Sequence, residues 1–160
     1  MTSFTHALES EVWKGLQEVS DPEIPSISIV EMGMVNGVRV EDNHVSIEFT
    51  PTFVGCPALK IIEKNIIDRI SAIPGVESVD VQFVFEPRWT TDRISESGRE
   101  KLRKFGILPP PKRAEDAWEI ECPYCNSKNT TLDNLFGPTA CRSIAYCRDC
   151  RNPFEAIKPI

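Results

Sequence analysis

With 160 residues and a formal net charge of −6, the chain can bury one medium core, or one of roughly 100 residues joined to a small module that needs a staple. No apolar run approaches the ~20 residues a membrane span requires, and Glu9, Glu11 and Glu18 argue against a signal peptide, so the expectation is a cytoplasmic protein without a membrane partner. Structural disulfides are rare in that compartment, and the six cysteines read as metal ligands and reactive thiols rather than as three bridges.

Leu8, Val12, Leu16 and Val19, with Trp13 beside them, recur at helical spacing and predict an amphipathic helix over residues 5–19. Asp21-Pro22-Glu23-Ile24-Pro25 ends it, because two prolines in five positions cannot continue a helix. Asp21 and Glu23 either cap and solvate that turn or help to hold a metal or orient a thiol. Val35, Gly37 and Arg39 then alternate with Asn36, Val38 and Val40, and Val45, Ile47 and Phe49 alternate with Ser46, Glu48 and Thr50. With the short polar connection Glu41-Asp42-Asn43 between them, the two runs predict an antiparallel hairpin.

The second strand delivers the chain to Thr50-Pro51-Thr52-Phe53-Val54-Gly55-Cys56-Pro57. Pro57 suits the first turn of a helix. A thiol at a helix mouth faces the positive end of the macrodipole, which favours thiolate and makes Cys56 a nucleophile or metal ligand. The plainer reading is a small apolar residue filling a gap. Leu59, Ile62, Ile66, Ile70 and Ile73, widened by Ile61 and Ile67, mark a core helix that Pro74-Gly75 stops, and Val79, Val81, Phe83 and Phe85 alternate as a third strand. The order is α-β-β-α-β, an α+β domain whose small sheet is covered on one face by two helices.

Trp89 lies just past the third strand, and residues 95–105 predict a short, strongly charged helix with Gly106 at its C′ position. Its basic face is either a docking surface or simply solvated. Pro109-Pro110-Pro111-Lys112-Arg113 reads as a stiff linker, giving an expected division into a domain over 1–108, a linker over 109–117 and a module over 118–160. Within that module Cys122-Pro123-Tyr124-Cys125 and Cys147-Arg148-Asp149-Cys150 form two C-x₂-C pairs 21 residues apart, the spacing of a closed structural zinc site. Strand-like segments at 130–136, 143–146 and 154–157 make it a zinc ribbon, although four thiolates accept iron as well. Cys141 is a fifth thiol: an extended chain would set it about 20 Å from Cys147, so a separate buried or reactive thiol is preferred over substitution for one of the four ligands. His6 and His44 have no partner at ligand spacing.

Taken together, Asp21-Pro22-Glu23-Ile24-Pro25, Thr50-Pro51-Thr52 with Gly55-Cys56-Pro57, Pro74-Gly75-Val76 and Trp89-Thr90 resemble the MIP18 (DUF59) family of iron–sulfur assembly factors. Trp89-Thr90-Thr91-Asp92, Ser95-Glu96-Ser97-Gly98-Arg99, Lys101-Leu102, Gly106-Ile107, the two C-x₂-C pairs and Phe136-Gly137 with Thr139-Ala140-Cys141 resemble a narrower group. That group is the D component (J in an older nomenclature) of the multicomponent phenylacetyl-CoA epoxidase. The resemblance implies a MIP18-type α/β domain with a C-terminal zinc ribbon. It also implies an accessory or maturation factor in phenylacetate degradation, which assists iron–sulfur cluster or di-iron assembly or delivery. Cys56 would contact iron or a cluster transiently, with Asp21, Glu23 and Thr52 around it, and zinc would be structural. The implied partners are the oxygenase and reductase components of the epoxidase, and two such thiols could meet in a homodimer.

Two other function classes stand beside this one. A Cys56-dependent thiol enzyme would need a base, and neither histidine is placed by sequence to supply it. A zinc-ribbon nucleic-acid binder is disfavoured by charge, since residues 1–98 carry a balance of −9 and residues 99–160 only +3.

Overall fold

The computed structural model describes residues 2–160, with side chains from Thr5 onward, and falls into two compact units, Met1–Arg88 and Trp89–Ile160. In the first unit α1 (Thr2–Gln17) is followed by β1 (Ser20–Asp21), β2 (Ile24–Ser28), β3 (Val35–Glu41), β4 (His44–Phe49), α2 (Leu59–Ser71) and β5 (Ser78–Phe83). The predicted α-β-β-α-β order is present, with one addition: the Asp21–Pro25 segment, expected as a turn, is the centre of a β1–β2 antiparallel hairpin. Ile24 and Ile27 are buried from that hairpin, an apolar spacing that the flanking prolines obscure.

β3 and β4 pair antiparallel through a tight turn in which Asp42 and Asn43 both have positive φ, the conformation that matches the twist of a two-residue hairpin. β4 and β5 pair parallel from His44↔Ser78 to Phe49↔Phe83, with α2 as the crossover, so β4 is the central strand. Val45, Ile47 and Phe49 alternate onto one face of β4 and are fully buried. Val12 and Leu16 from α1, and Ile62, Ile66 and Ile70 from α2, complete the core. Ile61, expected to widen that stripe, is 51% exposed, because its neighbour Ile62 takes the core-facing position and one residue turns about 100° around the helix. The helices approach closely at Gly15, where a Cβ would come within 3.0 Å of Ile70 Cδ1 and 3.2 Å of Ile73 Cδ1.

The second unit contains a 3₁₀ turn (Thr91–Arg93), α3 (Glu96–Lys104), β6 (Ile107–Leu108), β7 (Thr130–Asn134), β8 (Arg142–Cys147) and β9 (Pro153–Ile157). Ser95 caps α3 by accepting a hydrogen bond from Gly98 N–H at 3.0 Å, and Gly106 follows at φ +87°, the left-handed conformation expected of a C′ residue. The sheet order is β6-β9-β8-β7, with β6 parallel to β9 and the other pairs antiparallel.

Contacts divide the chain at Arg88 rather than at the proline run expected to separate residues 1–108 from 118–160. The physical reason is that β6 pairs with β9, and the buried Arg99 of α3 binds the proline segment. Its guanidinium donates to the carbonyls of Pro110, Thr91 (2.7 Å) and Pro111 (3.5 Å). Residues 110 and 111 are thereby held by backbone contacts instead of spanning freely. Burial pulls the Arg99 pKa down, with Glu96 and Asp92 acting against that shift. Replacing Arg99 by Met keeps the apolar stem and strands three carbonyls, so a loss of about 1.5–3 kcal/mol is expected from the charge-assisted bonds. Urea unfolding followed by tryptophan fluorescence in a Trp13→Phe background, where Trp89 and Trp118 report on the second unit, measures it, and an unchanged midpoint would contradict the assignment.

Candidate metal centre and thiol loop

The four cysteines of the two C-x₂-C pairs converge: all their sulfurs lie within 4.8 Å of one another, with Cys122–Cys150 and Cys125–Cys147 each at 3.6 Å. A tetrahedral ion with metal–sulfur bonds near 2.3 Å requires sulfur–sulfur edges of about 3.8 Å, so two pairs already match such an ion and the others need close by no more than about an ångström.

Two equivalent turns bring this about. Cys122 N–H donates to Ser127 O at 2.9 Å, and Cys147 N–H donates to Asn152 O at 3.0 Å. In each turn the residue after the second cysteine takes a positive φ, Asn126 at 60° and Arg151 at 61°. That reversal folds the backbone around the sulfurs. The turns are also bonded to each other, since Asp149 of the second accepts from Ser127 and from Asn129 Nδ2 (2.7 Å) of the first. Those two bonds hold the Asp149 carboxyl below its ordinary range.

Without an ion the thiols are inequivalent. Cys150 is pulled down to about 6, first by the side-chain N–H of Asn152, which lies 3.4 Å from its sulfur. Cys125 is favoured as thiolate by the Ser127 backbone N–H but is pushed up to about 12 by desolvation and its neighbouring thiols. Burial raises Cys122. A dication would replace this unequal sharing of protons with four thiolates. Asn152, Ser127 and Asn129 support the centre but were not singled out from sequence. Only their proximity to the cysteine pairs could have drawn attention to them.

Cys141 is outside the four-sulfur set. It is half-buried in the loop before β8, its sulfur 3.2 Å from Thr139 Oγ1, and that hydroxyl accepts from Arg142 Nε at 2.9 Å. The basic side of α3 is partly engaged in ion pairs, with Arg103 on Glu121 at 3.1 Å.

In the first unit, Cys56 is half-buried between exposed Gly55 and Pro57. Its N–H closes a turn onto Phe53 O at 3.2 Å, and its carbonyl accepts from Leu59 N–H at 3.4 Å. Ala58, not Pro57, begins α2 as its N-cap and offers no side-chain cap. No side-chain oxygen therefore caps the start of α2, and the backbone carbonyl of Cys56 meets its first N–H. Phe53 and Val54 project from the loop, 47% and 73% exposed, and Thr52 is half-buried.

Asp21 accepts the Glu23 N–H at 2.9 Å within the β1–β2 turn. It also lines a shallow depression beside Asn65, Asp68 and Arg69 of α2, of which Cys56, Thr52 and Glu23 are not lining residues. Arg69 donates to Glu18 at 2.7 Å there and holds that carboxyl below its usual range. His44 is bonded to Ser78 at 2.6 Å, and His6 lies 4.0 Å from Glu9.

Sequence comparison accounts for both units. Residues 9–82 match the family model described as "Iron-sulfur cluster assembly protein", and residues 108–158 match the "PaaD zinc beta ribbon domain". An Escherichia coli protein named as the D component of a "Putative 1,2-phenylacetyl-CoA epoxidase" is 39% identical over 153 residues, covering 94% of this chain and 92% of that relative. The chain belongs to the D-component family of the phenylacetyl-CoA epoxidase. Over its first unit this D-component family member also resembles the "Fe-S protein maturation auxiliary factor" of Porphyromonas gingivalis, at 32% identity over 62% of this chain and 92% of that one. A crystal structure titled as a domain of unknown function, DUF59, from Bacillus anthracis superposes with a TM-score of 0.60 at 29% identity, covering 64% of this chain and 97% of that one. The mixed α/β fold with a ribbon module expected from sequence is thus the fold found.

Proposed function

We propose that the protein is a cytoplasmic, non-catalytic maturation factor of the phenylacetyl-CoA epoxidase. In this reading it passes iron or an iron–sulfur cluster to the oxygenase or reductase component through Cys56. The supporting observation is that the thiols are of two kinds: four are gathered into one closed set, whereas Cys56 occupies a half-exposed loop at the start of α2, which has no side-chain cap. A single thiolate suits cargo that must leave again better than a resident four-ligand centre does. In this reading Thr52 flanks the thiol within its loop, Asp21 and Glu23 contribute from the β1–β2 turn, and the partner is a protein that docks over the loop. The ribbon ion is zinc, held by Cys122, Cys125, Cys147 and Cys150 as a structural centre.

Anaerobic purification with metal analysis, comparing the natural chain with Cys56→Ser, tests this reading. Zinc near one per chain is expected in both proteins, with iron lost only from the variant. Cells carrying the variant should contain epoxidase components with reduced cluster occupancy. Equal iron content and equal occupancy in the partner enzymes would rule out handover through Cys56.

A further inference from the structure

The strand before the thiol loop carries an irregularity that neither the fold nor the metal centre requires. Val35 of β3 pairs with Phe49, and Gly37 pairs with the adjacent Glu48, so Asn36 is an extra residue inserted between two successive rungs of the ladder. Such a bulge turns its side chain out of regular alternation and is often found next to a functional loop. Here the side chain is put to use. Asn36 Nδ2 donates to Thr50 Oγ1 at 2.7 Å, and Thr50 N–H donates to Met34 O at 2.7 Å.

Thr50 is the first residue of the Cys56 loop and is 1% exposed, so its hydroxyl bond lies in a low-dielectric setting where leaving it unmade is costly. On the other side of β4, Val84 N–H donates to Phe49 O at 2.8 Å. The chain is thus gripped from both neighbouring strands immediately before it leaves the sheet. Pro51 follows, itself buried and fixed in φ. Only Thr52–Gly55 then separate this anchor from Cys56, whose own N–H is tied back to Phe53.

We propose that Asn36 is a positioning residue for Cys56: through Thr50 it fixes the root of the loop that carries the thiol to the start of α2. This deepens the handover reading, on which it rests. A looser root lets the loop carry the thiol away from the start of α2, and a macrodipole acts on a nearby thiol only within about a turn.

The test is the alkylation of Cys56 by iodoacetamide across pH in the full, metal-loaded chain. Peptide mass spectrometry follows the Cys56 peptide, with Cys141 as an internal reference in the same molecule. Asn36→Ala and Thr50→Val should each slow Cys56 alkylation at neutral pH about three- to tenfold, the range expected for one lost buried hydrogen bond. They should also move its pH midpoint upward while Cys141 is unchanged. Thr50→Ser, which retains the hydroxyl, should restore the natural profile, and the double variant should be no slower than either single one.

An unchanged Cys56 profile in both single variants, with Thr50→Ser indistinguishable from Thr50→Val, overturns the positioning role. That result would leave handover to be judged separately by the iron content of Cys56→Ser. Equal slowing of Cys56 and Cys141 would likewise overturn it, by showing a general loosening of the fold. Melting curves of Thr50→Ser and Thr50→Val read alongside separate folding from positioning.

Discussion

Removal of the ribbon metal, by chelation or by Cys147→Ser, is expected to abolish the structure of residues 108–158. The core of this module consists of Leu108, Cys122, Ala145, Cys147, Phe154 and Ala156, with Trp118, Ile120 and Cys150 packed against it. Two of the six central side chains, Cys122 and Cys147, belong to the four-sulfur set, so an interior built around an ion there would not survive its loss as an ordinary apolar core would. Binding free energies on the order of 10 kcal/mol are typical when such a site and its fold form together, which exceeds what so small a core can supply. Limited proteolysis with mass mapping should show new cleavages between the two cysteine pairs once one equivalent of metal has been released. Residues 9–82, with their own interior, should stay protected. Retained protection of the metal-free ribbon would show that hydrophobic packing alone suffices.

Truncating Phe49 to Ala should cost about 3–5 kcal/mol, the range for deleting a large buried ring. Phe49 is fully buried at the end of the central strand and meets Phe83 edge to face, with ring centroids 5.8 Å apart at 85°. The cavity would open where both neighbouring strands converge, so little collapse can refill it. Set against a total of about 5–15 kcal/mol for a typical domain, this removes a large share of the first unit's stability. Guanidinium unfolding monitored by far-UV circular dichroism gives the difference. Phe49→Leu, which keeps most of the apolar volume, should lose much less. A shift of the same size for both variants would mean that the ring is not filling a tight space.

The regular elements were readable because their apolar period matched their geometry. Val12 and Leu16, Ile62, Ile66 and Ile70, and Val45, Ile47 and Phe49 all point inward as their spacing predicts. The β1–β2 hairpin was not readable, since Pro22 and Pro25 mask the buried Ile24 and Ile27. Nor was β6, a two-residue strand whose existence depends on β9, some fifty positions later. The convergence of the four cysteines followed from their spacing, whereas the Asp149 bridge to Ser127 and Asn129 depends on how the turns meet in space. The Asn36–Thr50 bond is hidden for a related reason: alternation predicts a regular strand through Asn36, and a bulge is one residue of departure from it.

The two cysteine turns match in backbone but not in cover. Cys122 and Cys147 are completely buried, while Cys125 is exposed and Cys150 half-exposed. A competing ligand or a rival ion would therefore have to enter on the Cys125–Cys150 flank, displacing an outer sulfur before an inner one. Exchange of an ion held here would have a direction, and its speed would be set by two thiols rather than by four.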